Sequence, residues 1–245
     1  MKADPKVQRR LLDLQAIDTS LAQLAHRRRS LPERAELEGL ARELSALEDE
    51  RVRAQVAVDD LDRDIARLEK DVEQVRVRKS KDEVRLAAGT GPARELEALQ
   101  HELVSLNRRQ SDLEDAELEL MEQRETAQGV LDDIERRAAE ARERRAATEQ
   151  RRDEALAEIA KEEEFKRTAR QPLAGDLPGD LVTLYDKIRE DRGLGAALLT
   201  GTRCGGCRLD LSGADMARIR KAAPDEVVRC EECRRIMVRT NESGL

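Results

Sequence analysis

The sequence predicts a mainly α protein: a long antiparallel coiled-coil hairpin followed by a small C-terminal four-cysteine module. Three observations predict it. Charged residues make up 40% of the 245 residues and aromatics 1%, with Phe165 and Tyr185 the only rings besides two histidines and no Trp. A globule of this length normally buries many rings, so one large core, and with it the deep apolar pocket of most enzyme folds, is not expected. Aliphatic residues recur at alternating spacings of three and four through most of the first 170 positions. All four cysteines fall after position 200.

The elements follow in order. Leu14, Ile17, Leu21 and Leu24 open an apolar seam. Pro32 disfavours helical geometry at Leu31, so a kink is expected about 31–33. The seam continues through Leu37, Leu40, Leu44, Leu47, Arg51, Ala54, Val58, Leu61, Ile65, Leu68, Val72, Val75, Lys79, Asp82 and Leu86, and only Arg51, Lys79 and Asp82 break it. That is an a/d pattern sustained for about seven heptads. Two glycines and a proline in Gly89-Thr90-Gly91-Pro92 end this helix and let another begin, placing a turn about 87–93. A matching seam then runs through Leu96, Leu99, Leu103, Leu106, Leu113, Leu120, Ala127, Leu131, Ile134, Ala138 and Ala141, is interrupted at Arg145, Thr148 and Arg152, and resumes at Ala155 and Ile159. Folding the chain at the turn sets Leu86 near Leu96, Leu68 near Leu113, Leu47 near Ile134 and Pro32 near Gln150. Each arm of about 80 residues would measure ~120 Å.

Residues 1–171 are therefore assigned to the hairpin. Residues 172–195 form a linker, marked by Pro172, Gly175, Pro178 and Gly179, and a short helix with Leu181, Leu184, Tyr185 and Ile188 on one face. Phe165 and Tyr185 flank this junction and are expected in its core. Residues 196–241 form the cysteine module, with strands expected over 197–202, 227–229 and 236–239 and a short helix over 214–221 that turns Met216 and Ile219 inward.

The cysteines carry the strongest chemical signal. Cys204-Gly205-Gly206-Cys207 and Cys230-Glu231-Glu232-Cys233 are two C-x2-C knuckles separated by 22 residues. Each knuckle supplies two sulfurs on one side of a tetrahedron, and two knuckles close it. The expected occupant is one Zn2+ on Cys204, Cys207, Cys230 and Cys233, with a redox dithiol or an iron–sulfur cluster as the alternatives; four thiolates leave no open coordination position, so a zinc there is structural rather than catalytic. Arg203, Arg208, Arg229, Arg234 and Arg235 flank the knuckles and offset the residual negative charge of such a site.

Other function classes find less support. His26 and His101 lie on separate helices, far apart in the hairpin register and without a nucleophile at sensible spacing, and no P-loop, G-x-G-x-x-G or H-E-x-x-H is present. The chain is not expected to be an enzyme or to take a small-molecule substrate. A net charge of −7 gives no global attraction for nucleic acid or an anionic membrane. No run of about 18 apolar residues exists to span a membrane, and the start Met1-Lys2-Ala3-Asp4-Pro5 has no apolar signal region, so the expected location is cytoplasmic. The expected function is that of an adaptor or scaffold for protein partners. The alternatives are RNA or other nucleic-acid binding by the ribbon through Arg208, Arg218, Arg220, Lys221, Arg234, Arg235 and Arg239, and a coiled-coil-tip regulator of RNA polymerase.

Two segments carry a family resemblance. Residues 93–102, Ala-Arg-Glu-Leu-Glu-Ala-Leu-Gln-His-Glu, and the end Cys230-Glu231-Glu232-Cys233-Arg234-Arg235-Ile236-Met237 resemble the corresponding stretches of the bacterial coiled-coil proteins with a C-terminal four-cysteine zinc ribbon. Arg234 stands where many members carry Gly. The resemblance implies a long kinked helical hairpin with the ribbon at its open end. It also implies adaptor activity: some members bind an alternative sigma factor and flagellin messenger RNA, and others touch secretion components.

Overall fold

The computed structural model describes residues 1–244. The chain divides into two compact units, one of Ala35–Glu149 and the other of Met1–Arg34 together with the chain from Gln150 onward. In order, the elements are helices α1 (Pro5–Arg29), α2 (Pro32–Ala88), α3 (Ala93–Gly175) and α4 (Gly179–Arg192), strands β1 (Ala196–Thr200) and β2 (Arg203–Cys204), helix α5 (Gly213–Lys221), strands β3 (Val228–Arg229) and β4 (Ile236–Val238), and a 3-10 turn over Asn241–Ser243.

The unit Ala35–Glu149 is an antiparallel pair made by α2 and α3. Except for Arg145, every seam position named above on its two helices is buried or half-buried, whereas most residues between them are exposed. Leu47 packs with Ile134, Ala138 and Ala141. The turn reverses through Gly89 and Gly91, at φ of 64° and 146°, values that L side chains rarely adopt. Polar rungs tie the helices along their length: Arg144 to Glu43 at 2.6 Å, Arg137 to Glu50 at 3.4 Å, Arg124 to Asp62 at 3.0 Å, Arg76 to Glu114 at 2.7 Å, and Arg78 to Glu102. Leu47 thus meets Ile134 as expected and Arg78–Glu102 keeps that register near the tip, whereas the other four rungs reach further along α3 than the expected pairing, by roughly one to two helical turns. A heptad seam fixes which face is buried but not the axial position; the charged flanks choose that. Near the tip Lys79 Nζ donates to Gln110 Oε1 at 3.4 Å, while Asp82 is buried in the seam and its Oδ2 has no hydrogen-bond partner.

In the second unit α1 and α2 are separate helices. Ser30 ends α1, with its N–H and Oγ both donating to the His26 carbonyl at 3.0 Å, and Leu31 turns inward against Leu24 and Ile159 before Pro32 starts α2. The expected kink is thus a two-residue break. Helix α3 runs through Pro172 to Gly175, past the linker start expected there. Interior proline costs a helix about 3 kcal/mol, but Leu173 and Ala174 pack on the core of this unit and hold the last turn in place. That core joins Leu11 and Leu14 of α1, Leu177, Leu181, Tyr185 and Ile188 around α4, and Ala196, Ile236 and Val238 of the sheet. Tyr185 is fully buried, as expected for the junction. Phe165 is 70% exposed and corrects that expectation: the inward positions of α3 here are Ile159, Glu163 and Arg170, which leaves Phe165 on the outer side.

Polar side chains also cross this core. Asp18, almost fully buried, accepts from Arg170 at 2.7 Å and from the Tyr185 hydroxyl at 2.8 Å, and Arg189 lies 3.5 Å away. Gln15 Oε1 accepts from the Gly195 and Ala196 amides at 2.7 and 3.2 Å, which pins β1 to α1. Gly195 admits no Cβ, since one built there would lie 2.5 Å from the Tyr185 ring. The sheet order is β2-β1-β4-β3, with β1 and β4 parallel and both edge pairings antiparallel. Before α1, Ala3 N–H donates to the Asp225 carbonyl at 2.7 Å and the Met1 carbonyl accepts from Val227 at 3.1 Å, so Lys2 makes an isolated antiparallel bridge to Glu226, just before β3.

Candidate metal centre

The two knuckles share one backbone conformation. In the first, Cys204 N–H donates to the Leu209 carbonyl at 3.1 Å and Arg208 N–H to the Cys204 carbonyl at 2.8 Å. In the second, Cys230 N–H donates to the Arg235 carbonyl at 3.0 Å and Arg234 N–H to the Cys230 carbonyl at 2.9 Å. The residue after each second cysteine is left-handed, Arg208 at φ 63° and Arg234 at φ 62°. The arginine before each knuckle closes it, Arg203 Nε donating to the Arg208 carbonyl at 2.6 Å and Arg229 Nε to the Arg234 carbonyl at 2.9 Å. The seven-residue pattern Arg-Cys-x-x-Cys-Arg-x is therefore used twice, and four of the flanking arginines have local structural roles. The left-handed turn is where Gly serves best; an L side chain there costs about 1–2 kcal/mol.

The knuckles differ in what lies between their cysteines. Gly205 packs onto β1, its N–H donating to the Leu198 carbonyl at 2.9 Å, and a Cβ there would come within 2.7 Å of that oxygen. A Cβ on Gly206 would meet the Arg235 side chain at 2.6 Å. In the second knuckle Glu231 and Glu232 are exposed, and Glu231 pairs with Arg218 and with Arg234 at 3.3 Å. Glycine marks the knuckle that abuts backbone, and glutamate the knuckle that faces water.

All four sulfurs lie within 4.8 Å of one another, and the Cys204–Cys233 and Cys207–Cys230 pairs are 3.9 Å apart. A tetrahedron with Zn–S bonds of about 2.3 Å has sulfurs about 3.8 Å apart, so the four residues fit that ion. Burial pushes the Cys204 thiol up, against the Cys207 and Gly206 amides, which favour its thiolate. Burial likewise takes Cys230 up to about 12, opposed by the Cys233 and Glu232 amides. Cys233 also feels burial, but the amide and guanidinium of Arg235 and the neighbouring thiols outweigh it and bring the group down to about 7. The amides converge on the sulfurs and favour negative charge there, as a metal-thiolate site needs. The thiols are also part of the ribbon's own core, packed with Leu199, Leu211, Met216, Ile219 and Met237.

The basic residues expected to contact nucleic acid or partners have varied surroundings. Arg239 spreads its guanidinium over the carbonyls of Ile219, Ala222, Ala223, Pro224 and Glu226 at 2.7–3.5 Å and fastens α5 to the segment before β3. Arg235 donates to the Arg192 and Leu194 carbonyls at 2.6 and 3.2 Å. Arg218 and Arg234 converge on Glu231. Arg208, Arg220 and Lys221 are exposed. Arg220 and Arg239 share a cleft of about 520 Å3 with Gln8 and Arg9, while Arg218 and Arg234 line another. The inward roles of Arg235, Arg239, Gln15 and Asp18 were not readable from spacing, because each depends on a partner distant in sequence.

Comparison with known proteins places this arrangement. A model of the CT398-like coiled coil hairpin domain matches residues 14–193, and a C4-type zinc ribbon domain matches residues 203–237. The chain belongs to the CT398-like coiled-coil hairpin family. A protein of Mycobacterium tuberculosis is 42% identical over 240 residues, covering 98% of each chain. A protein of Mycobacterium leprae is 30% identical over 220 residues, covering 88% of this chain and 93% of that one. A solved structure from Mycobacterium smegmatis superposes with a TM-score of 0.86 at 37% identity, covering 98% of this chain and all of that one. CT398 from Chlamydia trachomatis shares the fold at a TM-score of 0.65 and 20% identity, covering 95% and 97% of the two chains. In this family member no helix among the described residues is long and apolar enough to cross a membrane.

Proposed function

We propose that the protein is a cytoplasmic, non-enzymatic adaptor that holds protein partners on its coiled-coil arm, with the ribbon as a second recognition surface kept folded by one structural Zn2+. The observation that carries this reading is the exposure of the arm. Folding of Ala35–Glu149 buries one stripe on each helix, and the remaining faces present side chains that its own core does not use. Coiled-coil flanks of this kind recognise further helices. Cys204, Cys207, Cys230 and Cys233 would hold the ion, which supplies a fixed cross-link between the knuckles. The resemblance of residues 93–102 and 230–237 to a family with some adaptor members supports the same reading.

The test is affinity purification of the full chain from its native cell, with mass spectrometry. Discrete proteins recovered in proportion to the bait are expected, and recovery should fall when exposed arm residues are changed. Failure to enrich any protein above a control would contradict the reading.

RNA binding by the ribbon is the second reading, favoured by the exposure of Arg208, Arg220 and Lys221. The donors of Arg235 and Arg239 already serve backbone carbonyls, so this surface is narrower than the count of basic residues implies. Phosphate-driven binding should appear at roughly 50 mM salt and weaken steeply above it. No affinity at that salt would remove the reading.

A further inference from the structure

We propose that the middle of the arm carries a docking groove for a cationic amphipathic helix of a partner protein. The proposal rests on the adaptor reading and locates one of its surfaces. A groove of about 540 Å3 is lined by Asp62, Ile65 and Glu69 of α2 and by Glu117, Leu118, Met121, Glu122, Arg124 and Glu125 of α3. Two independent features mark it.

The first is apolar exposure. Leu118 is 60% exposed and Met121 50%. They are three residues apart on one helix, so their side chains are neighbours, and half-buried Ile65 lies beside them in the same groove. An unbranched thioether adapts to varied apolar partners and is favoured at recognition surfaces.

The second is a gap in the charge rungs. The cross-helix pairs include Arg124–Asp62 on one side and Arg76–Glu114 on the other. Among the described residues, the carboxylates of Glu69, Glu117, Glu122 and Glu125, which line the groove, make no ion pair within 4 Å, although Glu117 lies in the field of Arg76. From Ser111 to Gln123 the chain holds Asp112, Glu114, Asp115, Glu117, Glu119 and Glu122 and no Lys or Arg. On the facing stretch of α2, Arg63 and Arg67 are engaged by Asp60 and Asp64 of their own helix, and the one further cation, Lys70, is exposed beside Glu69. The groove is thus an apolar strip with a rim in which carboxylates outnumber cations.

That combination specifies the occupant. A helix with Leu-like side chains on one face would bury them against Ile65, Leu118 and Met121 as the third strand of a local coiled coil. Lys or Arg beside that face would meet Glu69, Glu117, Glu122 and Glu125. An acidic helix, or the phosphates of RNA, would be repelled by the same rim.

The experiment uses the full-length chain and a synthetic Leu/Lys helix of heptad pattern, with a Leu/Glu helix as control, followed by fluorescence anisotropy at low salt. The Leu/Lys helix should bind and the Leu/Glu helix should not. The double variant Leu118→Ser, Met121→Ser keeps the charge and alters exposed sites, so it should fold unchanged yet weaken binding at least tenfold. The triple variant Glu117→Gln, Glu122→Gln, Glu125→Gln should also weaken it at low salt, with the difference shrinking as salt rises. Binding equal for all variants, or absent altogether, would overturn the site. Photo-cross-linking in native cells separates this from the adaptor reading. Cross-links from position 118 to a Lys/Arg-rich helix of another protein support the groove. Cross-links from Val52 or Val104 with none from 118, or from 118 to a second copy of this chain, overturn the groove and leave the adaptor reading standing.

Discussion

The arm of Ala35–Glu149 and the unit that carries the ribbon solve opposite problems. The arm is held by a narrow aliphatic stripe and by rungs that repeat along it, so each segment depends mainly on its near neighbours. The ribbon-bearing unit has a mixed core, in which Asp18, Gln15, Arg170 and Tyr185 hydrogen-bond among the aliphatics, and its ribbon counts three of the four thiols among its own core residues with Cys207 packed against them. The difference teaches where stability is divisible. A lesion in the arm should be local, whereas a lesion at the thiols should remove the element as a whole.

Substitutions can break or sharpen that contrast. The largest effect is expected from Leu47→Ala, which opens a cavity between α2 and Ile134, Ala138 and Ala141. A loss of about 2–4 kcal/mol is expected, seen in hydrogen exchange of the arm and not of the ribbon. Asp82→Leu should act in the opposite direction, since it replaces a buried carboxylate that has an orphan oxygen. A gain of about 1–3 kcal/mol for the tip is expected, measured as slower amide exchange on both sides of the turn.

Tyr185→Phe should cost the ribbon-bearing unit about 1 kcal/mol through the lost bond to Asp18. Its pH dependence adds a signature. Burial first, then the bond to Asp18 and its charge, push the Tyr185 phenol above its ordinary value. A raised value in the folded state makes its contribution complete below about pH 10, where the unfolded phenol is still protonated, and lost as pH rises further. The wild type should therefore lose stability on the alkaline side faster than the Phe variant in urea unfolding. The smallest effect belongs to Arg234→Gly, which relieves a left-handed residue at the expense of an exposed pair with Glu231. A gain of up to about 1 kcal/mol is expected for the ribbon, and Arg208→Gly should share its sign. Thermal unfolding of the metal-loaded chain would reveal both.

The same contrast explains what the sequence alone could tell. The seam of the arm was legible because a helix with one buried stripe must repeat it, and the positions from Leu37 to Ala141 show that repeat directly. The knuckles were legible because the tetrahedral geometry of a metal fixes cysteine spacing. Axial register was legible only in part: Leu47 meets Ile134 as expected, but pairs such as Arg76–Glu114 are chosen by charged flanks that the heptads do not specify. Asp18 and Arg170 stand 152 residues apart, and their bond has no local signature. Phe165 reads as core by residue type, yet helical phase turns it outward. Pro172 reads as a helix stop, yet Leu173 and Ala174 gain enough from packing to override it. The pair Gly205-Gly206 against Glu231-Glu232 could have flagged which knuckle abuts backbone, since only the first lacks side chains.

The central claim is that the ribbon is folded by metal held on four thiolates while the arm stands without it. Hydrogen exchange of the full chain, with its zinc content measured before and after a strong chelator, tests this most directly. About one equivalent of zinc should be present at the start, and its removal should abolish protection at Cys204, Arg208, Cys230 and Arg234 while amides from Leu40 to Leu86 exchange as before. Metal-free protein that keeps full protection in both knuckles would contradict the account.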